Sequence, residues 1–255
     1  MPLTRTSRAP VGPWTLVVPF KGGPEAKSRL GHASQASPGL RPDVRSRLAL
    51  AFLSDTVAAA RAVPEVADIV IVSSDAALLT AIPDIILVAD PGQGLNAAVT
   101  AGIEWASAQV PNRPMAALTG DLPCLLPHDL AAGLAAAREH PRSLVADRHG
   151  TGTTLLTALP GQKLIPRFGT GSCHAHTRAG HALLPIPGAS TLRLDVDSVE
   201  DLNTALRRGT GHHTRSTMLR PPPRAYGARL SDNHPPLIAA AVRSARLAAS
   251  VLPVP

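Results

Sequence analysis

Met115-Ala116-Ala117-Leu118-Thr119-Gly120-Asp121-Leu122-Pro123 is the stretch from which the fold can be read. A short apolar run, strand-length and too brief for a helix, leads directly into a glycine, a carboxylate and a proline-stiffened turn. A strand apolar at successive positions is covered on both faces, the habit of parallel sheets clad by helices. Similar runs lie at Trp14–Phe20, Asp68–Ser74, Ile85–Ala89, Ser143–Ala146 and Thr154–Ala158, with a strand-like Leu192–Leu194 as the last. Between them, helical periodicity covers Asp43–Val63, where Leu48, Phe52, Val57, Ala60 and Val63 recur, and then Asn96–Gln109, His128–His140 and Val199–Leu206. Strands alternating with amphipathic helices predict an α/β domain with a mostly parallel sheet and helices on both faces. In such sheets the ligand crevice lies at the carboxyl ends of the strands. The unusual residues gather there: Lys21-Gly22-Gly23, Gly92–Asn96, Asp121, Asp147, and Asp195 with Asp197.

Composition bounds the rest. The chain has 255 residues, 44% hydrophobic and 17% charged, which excludes intrinsic disorder as its overall state. Aromatic residues make up only 2%, so Ala, Val, Leu and Ile must build the core. No apolar run is long enough to span a bilayer, and Arg5 and Arg8 have no apolar segment behind them, so a cytoplasmic protein without membrane association is expected. Two cysteines, Cys124 and Cys173, form neither a disulfide framework nor a zinc cluster, and packing is the expected role of Cys124. The net charge of +7 resides entirely beyond residue 205, where eight arginines face one acid, Asp232. A neutral body with a basic tail is not a nucleic-acid-binding face, so no nucleic acid is expected on the core. The expected organisation is a flexible lead-in at 1–13, one domain at 14–210 and a basic Pro/Arg-rich tail at 211–255. Within the tail, Leu237–Leu252 reads equally as a docking helix or as disorder.

Four constellations carry chemistry. Lys21–Leu30 is a glycine-containing loop in which Lys27 and Arg29 suit a phosphate; a solvated turn is the alternative. It matches neither a Walker loop nor a dinucleotide fingerprint. Asp121, Asp195 and Asp197 suit Mg²⁺, a hard ion held by one or two protein carboxylates plus substrate phosphates. Helix capping explains one of these aspartates, Asp121 or Asp197, but not all three. Asp147–Thr154 and Phe168–Ser172 offer hydroxyls and backbone N–H groups for a small anion, with Ser172 opening a short helix, or else are two ordinary glycine turns. In Gly92–Ala98, Asn96 is expected to cap the following helix, and backbone and amide contacts to a nucleotide are the further reading.

These segments, in this order, resemble the 2-phospho-L-lactate guanylyltransferase family of coenzyme F-420 biosynthesis. The resemblance covers about residues 14–210. It is carried by Val17–Phe20, Ala26–Leu30, Gly94–Ala98, Asp121-Leu122-Pro123, Asp147-Arg148, Gly150–Thr153, Pro166–Gly169, Leu192-Arg193 and Asp195-Val196-Asp197. It implies a single Rossmann-like nucleotidyltransferase domain related to the molybdenum-cofactor guanylyltransferases. It further implies GMP transfer from GTP, with Mg²⁺, to phosphoenolpyruvate or 2-phospho-L-lactate, and a following pathway enzyme that accepts the labile product. Three lysines against 22 arginines suggest a GC-rich genome and tilt the acceptor toward phosphoenolpyruvate, with 3-phosphoglycerate also open.

By position, the resemblance implies that Thr153, Gly169 and Ser172 hold the phosphorylated acid. It also implies that Asp121, Asp195 and Asp197 would hold the metal and act catalytically with Lys27. Lys27 and Arg29 are implied at the GTP triphosphate, and Lys21, Gly94 and Asn96 are expected at the nucleotide from the reading of their loops. One departure is Ala175, before His176, where the family commonly has arginine; His174 or Arg178 could supply that charge. The implied reaction is direct attack by the acid's phosphate on the α-phosphorus of GTP. That nucleophile is ionised at neutral pH and needs no strong base. The competing readings are a same-fold transferase with another phosphorylated acceptor, such as a sugar phosphate, and an adaptor whose basic tail binds nucleic acid or an anionic surface.

Overall fold

The computed structural model describes residues 12–23, 27–31 and 39–219. The candidate helix at 237–252, most of the lead-in and the loop residues 24–26 lie outside them. Seven strands form one sheet: β1 (Trp14–Pro19), β2 (Val66–Val72), β3 (Ile86–Val88), β4 (Met115–Leu118), β5 (Arg142–Ala146), β6 (Thr153–Ala158) and β7 (Ala182–Leu183). Their order is β3-β2-β1-β4-β6-β5-β7. All neighbours are parallel except that β6 runs antiparallel to both β4 and β5. This reversal matters for the site. It puts the start of β6, Thr153, on the same sheet edge as the carboxyl ends of β4 and β5.

The helices are α1 (Pro42–Arg61), α2 (Leu78–Ala81), α3 (Leu95–Gln109), α4 (Pro127–Ala137), α5 (Ser172–Arg178), α6 (Val199–Arg208) and α7 (His212–Leu219). They cover both faces of the sheet, and the strands alternate accordingly. Trp14, Leu16 and Val18 pack with Leu53, Leu130 and Leu134 of α1 and α4. Val17 instead joins Val70, Val72 and Ala98 beneath α3. On α3, Gly102 permits this approach: a β-carbon there would lie 2.5 Å from Val17 and 2.7 Å from Val72. Small residues at the helix–sheet contacts let a core with few aromatics close without voids. Among the described residues, no helix is long and apolar enough to cross a membrane.

Two segments differ from the expectation. Leu192–Leu194 is not a strand: Thr191–Arg193 forms a 3-10 turn. Polar anchors determine this. Ser190 accepts from the Leu192 N–H, Asp129 accepts from both the backbone and hydroxyl of Thr191, and the Leu192 carbonyl accepts from the buried Thr154 hydroxyl. Residues 212–219, which the sequence places in the tail, form α7 packed on α1. Its N-terminal N–H groups, at His213 and Thr214, donate to the buried Asp55 carboxylate at 2.9 Å each. An acidic side chain borrowed from another helix thus caps α7.

Candidate active site

Asp121 leaves the end of β4, and its carbonyl accepts from the Val196 N–H at 3.1 Å. That bond draws the segment after the 3-10 turn against the β4 edge. Val196 is completely buried, so in this extended segment its neighbours Asp195 and Asp197 share the opposite side. Neither Asp121 nor Asp197 caps a helix: α6 is capped by Ser198, in a reciprocal box with Asp201.

Lys27 joins the carboxylates from the loop after β1. Its backbone sits at φ 52°, a left-handed conformation that is uncommon and strained for a lysine. Its ammonium donates to Asp121 Oδ2 and, at 2.8 Å, to Asp197 Oδ1. Arg29 reaches Asp197 Oδ2 at 3.4 Å. Burial works against the charge on Lys27, but Asp121 and Asp197 outweigh it and hold its pKa above the ordinary lysine value. For Asp197 burial is likewise outweighed, by Lys27 and then Arg29, and its carboxyl titrates below the usual range. Among the described residues, no such cation offsets Asp195. Burial, then the charges of Asp121, Asp197 and Asp147, push it well above the ordinary carboxylate range.

Among the described residues no three acidic, histidine or cysteine side chains already converge as a metal cage. The expected triad is therefore not assembled on one point, because Lys27 occupies the space between Asp121 and Asp197. Two observations still fit a divalent cation. Asp121 Oδ1 is buried without a hydrogen-bond partner, and Asp195 is a desolvated carboxyl among three others. Mg²⁺ needs only one or two carboxylates when substrate phosphates supply further ligands.

The second half of the site lies across β6. Thr153 Oγ1 is 2.9 Å from His176 Nδ1 and 3.3 Å from Ser172 Oγ, and all three residues are buried. Ser172 opens α5 after Gly171, and its N–H donates to the Gly169 carbonyl. The structure thus brings Thr153, Gly169 and Ser172 together. Asp147, at the end of β5, accepts from the Thr151 N–H and holds the intervening turn. Arg193 is spent on backbone, donating to the carbonyls of Ala146, Asp147 and Ile186.

Asn96 does something other than expected. The cap of α3 is Gly94, at φ 93°, not Asn96. The Asn96 amide instead pairs with the Phe168 backbone, accepting from its N–H at 2.7 Å and donating to its carbonyl at 3.0 Å. It braces the Phe168–Ser172 loop against the start of α3. Lys21 is exposed at the end of β1. Cys124 is buried and its thiol donates to the Ala205 carbonyl; burial pushes it up to about 12, which agrees with packing rather than nucleophilic chemistry. Sequence reasoning missed His176 as a site residue. Its partners lie 23 and 9 positions away, so no local spacing marks it.

Comparison with known proteins shows the family and the fold. The phosphoenolpyruvate guanylyltransferase of Streptomyces coelicolor is 46% identical over 210 residues, which span 81% of this chain and 96% of that protein. The protein of the same name from Streptomyces scabiei is 44% identical over 214 residues, with the same coverage of both chains. Among solved structures, 4-diphosphocytidyl-2C-methyl-D-erythritol synthase aligns over 76% of this chain and 97% of its own, with TM-score 0.53 and 14% identity. A nucleotidyl transferase from Methanothermobacter aligns over 77% and 99%, with TM-score 0.51 and 16% identity. At such identities the structural likeness establishes the nucleotidyltransferase fold alone. Residues 14–221 match the family described as "Guanylyl transferase CofC like", and with the curated relatives above 40% identity this shows that the chain belongs to that family of guanylyltransferases.

Proposed function

We propose that this protein transfers GMP from GTP to phosphoenolpyruvate, releasing diphosphate, as a step in coenzyme F-420 biosynthesis. The observation that carries the reading is the pairing of two unlike half-sites on one sheet edge. One is the Lys27-bridged aspartate cluster; the other is the hydroxyl cradle of Thr153 and Ser172 beside Gly169. The names of the relatives support phosphoenolpyruvate as the acceptor.

In this reading Lys27, Arg29 and Lys21 neutralise the triphosphate, and the α3 N-terminus at Gly94 faces the nucleotide. Thr153 orients the acid by a hydrogen bond, Ser172 holds the Thr153 hydroxyl for it, and the backbone at Gly169 admits the acid's close approach. Asp121 and Asp195 are the residues that would hold Mg²⁺, while Asp197 stays engaged by Lys27 and Arg29. When bound, the metal supplies charge neutralisation on the phosphates. The acid's phosphate oxygen forms a bond to the α-phosphorus of GTP as the bond to diphosphate breaks. The nucleophile is already ionised, so these side chains act by positioning and charge rather than by proton removal. This agrees with His176, whose buried ring has both nitrogens bonded to Thr153 and the Arg167 N–H.

The test is diphosphate release with GTP and Mg²⁺, comparing phosphoenolpyruvate, 2-phospho-L-lactate and 3-phosphoglycerate, with the next pathway enzyme present to trap the product. Turnover with phosphoenolpyruvate and GTP, and none with ATP or CTP, is expected. Turnover confined to one of the other acids would reassign the acceptor. Silence with all three, despite GTP binding, would overturn the reaction.

A further inference from the structure

We infer that His176 is the positioning residue of the acid cradle, holding Thr153 and the Arg167–Gly169 loop in register through one fixed neutral tautomer. This deepens the function proposed above and rests on it.

The tautomer follows from hydrogen-bond direction. The Arg167 N–H donates to His176 Nε2 at 2.8 Å, so Nε2 must present a lone pair. The proton of the neutral ring then sits on Nδ1 and donates to Thr153 Oγ1, 2.9 Å away. Ser172 Oγ donates to the same oxygen at 3.3 Å. With both of these bonds received, the Thr153 hydrogen is the one left to donate to an incoming anion. The Phe168 ring packs edge-on against the imidazole, with centroids 5.0 Å apart, and fixes the loop from its other side. Gly169 follows directly and is tied in turn to Ser172 through its carbonyl.

One buried ring therefore sets three elements relative to one another: the start of β6, the loop before α5, and α5 itself, which carries His176. Thr153 bonds His176 directly, Gly169 follows the Phe168 that packs on it, and Ser172 is linked to it through the Thr153 hydroxyl. His176 is fully buried and does not reach the reacting atoms itself, so its effect is confined to the geometry of the acid subsite. Burial, with His181 and Arg167 nearby, favours the neutral ring that this arrangement requires.

The two bonds can be separated by substitution. His176→Asn retains a donor at the δ position for Thr153 and loses the acceptor for the Arg167 N–H. His176→Gln retains an acceptor at the ε position and loses the donor to Thr153. His176→Ala loses both. Steady-state diphosphate release with each substrate varied in turn reads the effect. The expected result is a KM for the acid raised roughly tenfold in the Asn and Gln variants and further in Ala, with the KM for GTP changed less than about twofold. A general loosening of the fold would move both KM values together, and that outcome overturns the inference. So does an acid KM unchanged in the Asn and Gln variants, which decide the matter if the Ala variant fails to fold. Wild-type silence with every acid overturns the functional reading and this inference with it. Wild-type turnover with unaffected variants overturns the inference alone.

Discussion

Replacing Lys27 by methionine tests the electrostatic core of the site. Methionine has nearly the same length and meets the same strain at φ 52°, so the substitution removes the charge and little else. The Lys27 side chain is 14% exposed, with Asp121 at 20% and Asp197 at 45%. A unit charge pair about 4 Å apart is worth about 4 kcal/mol at an effective dielectric near 20. That figure suits the sheltered Asp121 contact, whereas the half-exposed Asp197 contact is worth under about 1 kcal/mol. Folding stability should nonetheless fall by less than the sum, because the buried Asp195, already raised by burial and its neighbours' charges, relieves the repulsion by taking up a proton. Catalysis has no such escape. Losing one fixed cation aimed at the phosphates costs about 3 kcal/mol, or on the order of 10² in kcat/KM for GTP. The assay is diphosphate release over a range of GTP concentrations, beside a thermal melt of the same preparation. Lys27→Arg should recover activity only in part, since a planar guanidinium cannot replace a compact ammonium between two carboxylates. A Lys27→Met enzyme within about threefold of wild-type kcat/KM would refute the placement of Lys27 at the triphosphate.

Asp121→Ala should lower turnover by a factor on the order of 10² or more even at saturating Mg²⁺; near-normal turnover would remove Asp121 from the metal site. Asp55→Ala strips α7 of the carboxylate cap at His213 and Thr214 and should cost about 3 kcal/mol, lowering Tm by roughly 6–12 °C in calorimetry. Removing residues 222–255, which lie beyond the family match, should leave turnover unchanged, whereas also removing 212–219 should reproduce the Asp55→Ala melt. Burial and then the charges of His181 and Arg167 lower the His176 pKa from 6.5 to about 4, so the unfolded chain binds the extra proton between those values. The His176 contribution to stability therefore falls as pH drops through that window, by on the order of 3 kcal/mol, and is complete above it, while the raised Asp195 acts in the opposite sense in wild type and variant alike. Asp129, lowered against burial by hydrogen bonds from Thr191, titrates beneath the window and does not obscure it. Denaturant midpoints of wild type and His176→Gln between pH 7 and 4.5 should converge as the pH falls, and parallel curves would contradict the buried neutral ring.

By itself the sequence determined the layers of this protein and most of its chemistry. Apolar runs such as Met115–Leu118 and the 3.6-residue period of α1 and α3 are local patterns, legible because burial on both faces leaves few polar residues in a strand. The Asp121 turn, the Lys27 loop and the two hydroxyl-bearing turns were likewise visible as chemistry placed after strands. Their mutual positions were not, because those depend on contacts across the chain. Lys27 meets Asp121 and Asp197 at separations of 94 and 170 residues, which turns an expected metal triad into a lysine-bridged cluster. Leu192–Leu194 has the composition of a strand, yet anchors from Asp129, Thr154 and Ser190 bend it into a 3-10 turn. Asn96 reads locally as a helix cap, and His176 shows no local signal beyond its polarity. Only the antiparallel run of β6, set by its pairing with β4 and β5, puts Thr153 on the edge that carries Asp121, and only folding brings the Arg167 and Phe168 N–H groups to the side chains of His176 and Asn96. Local pattern decided which residues are buried and which are reactive; tertiary hydrogen bonding and sheet direction decided which of the reactive ones meet.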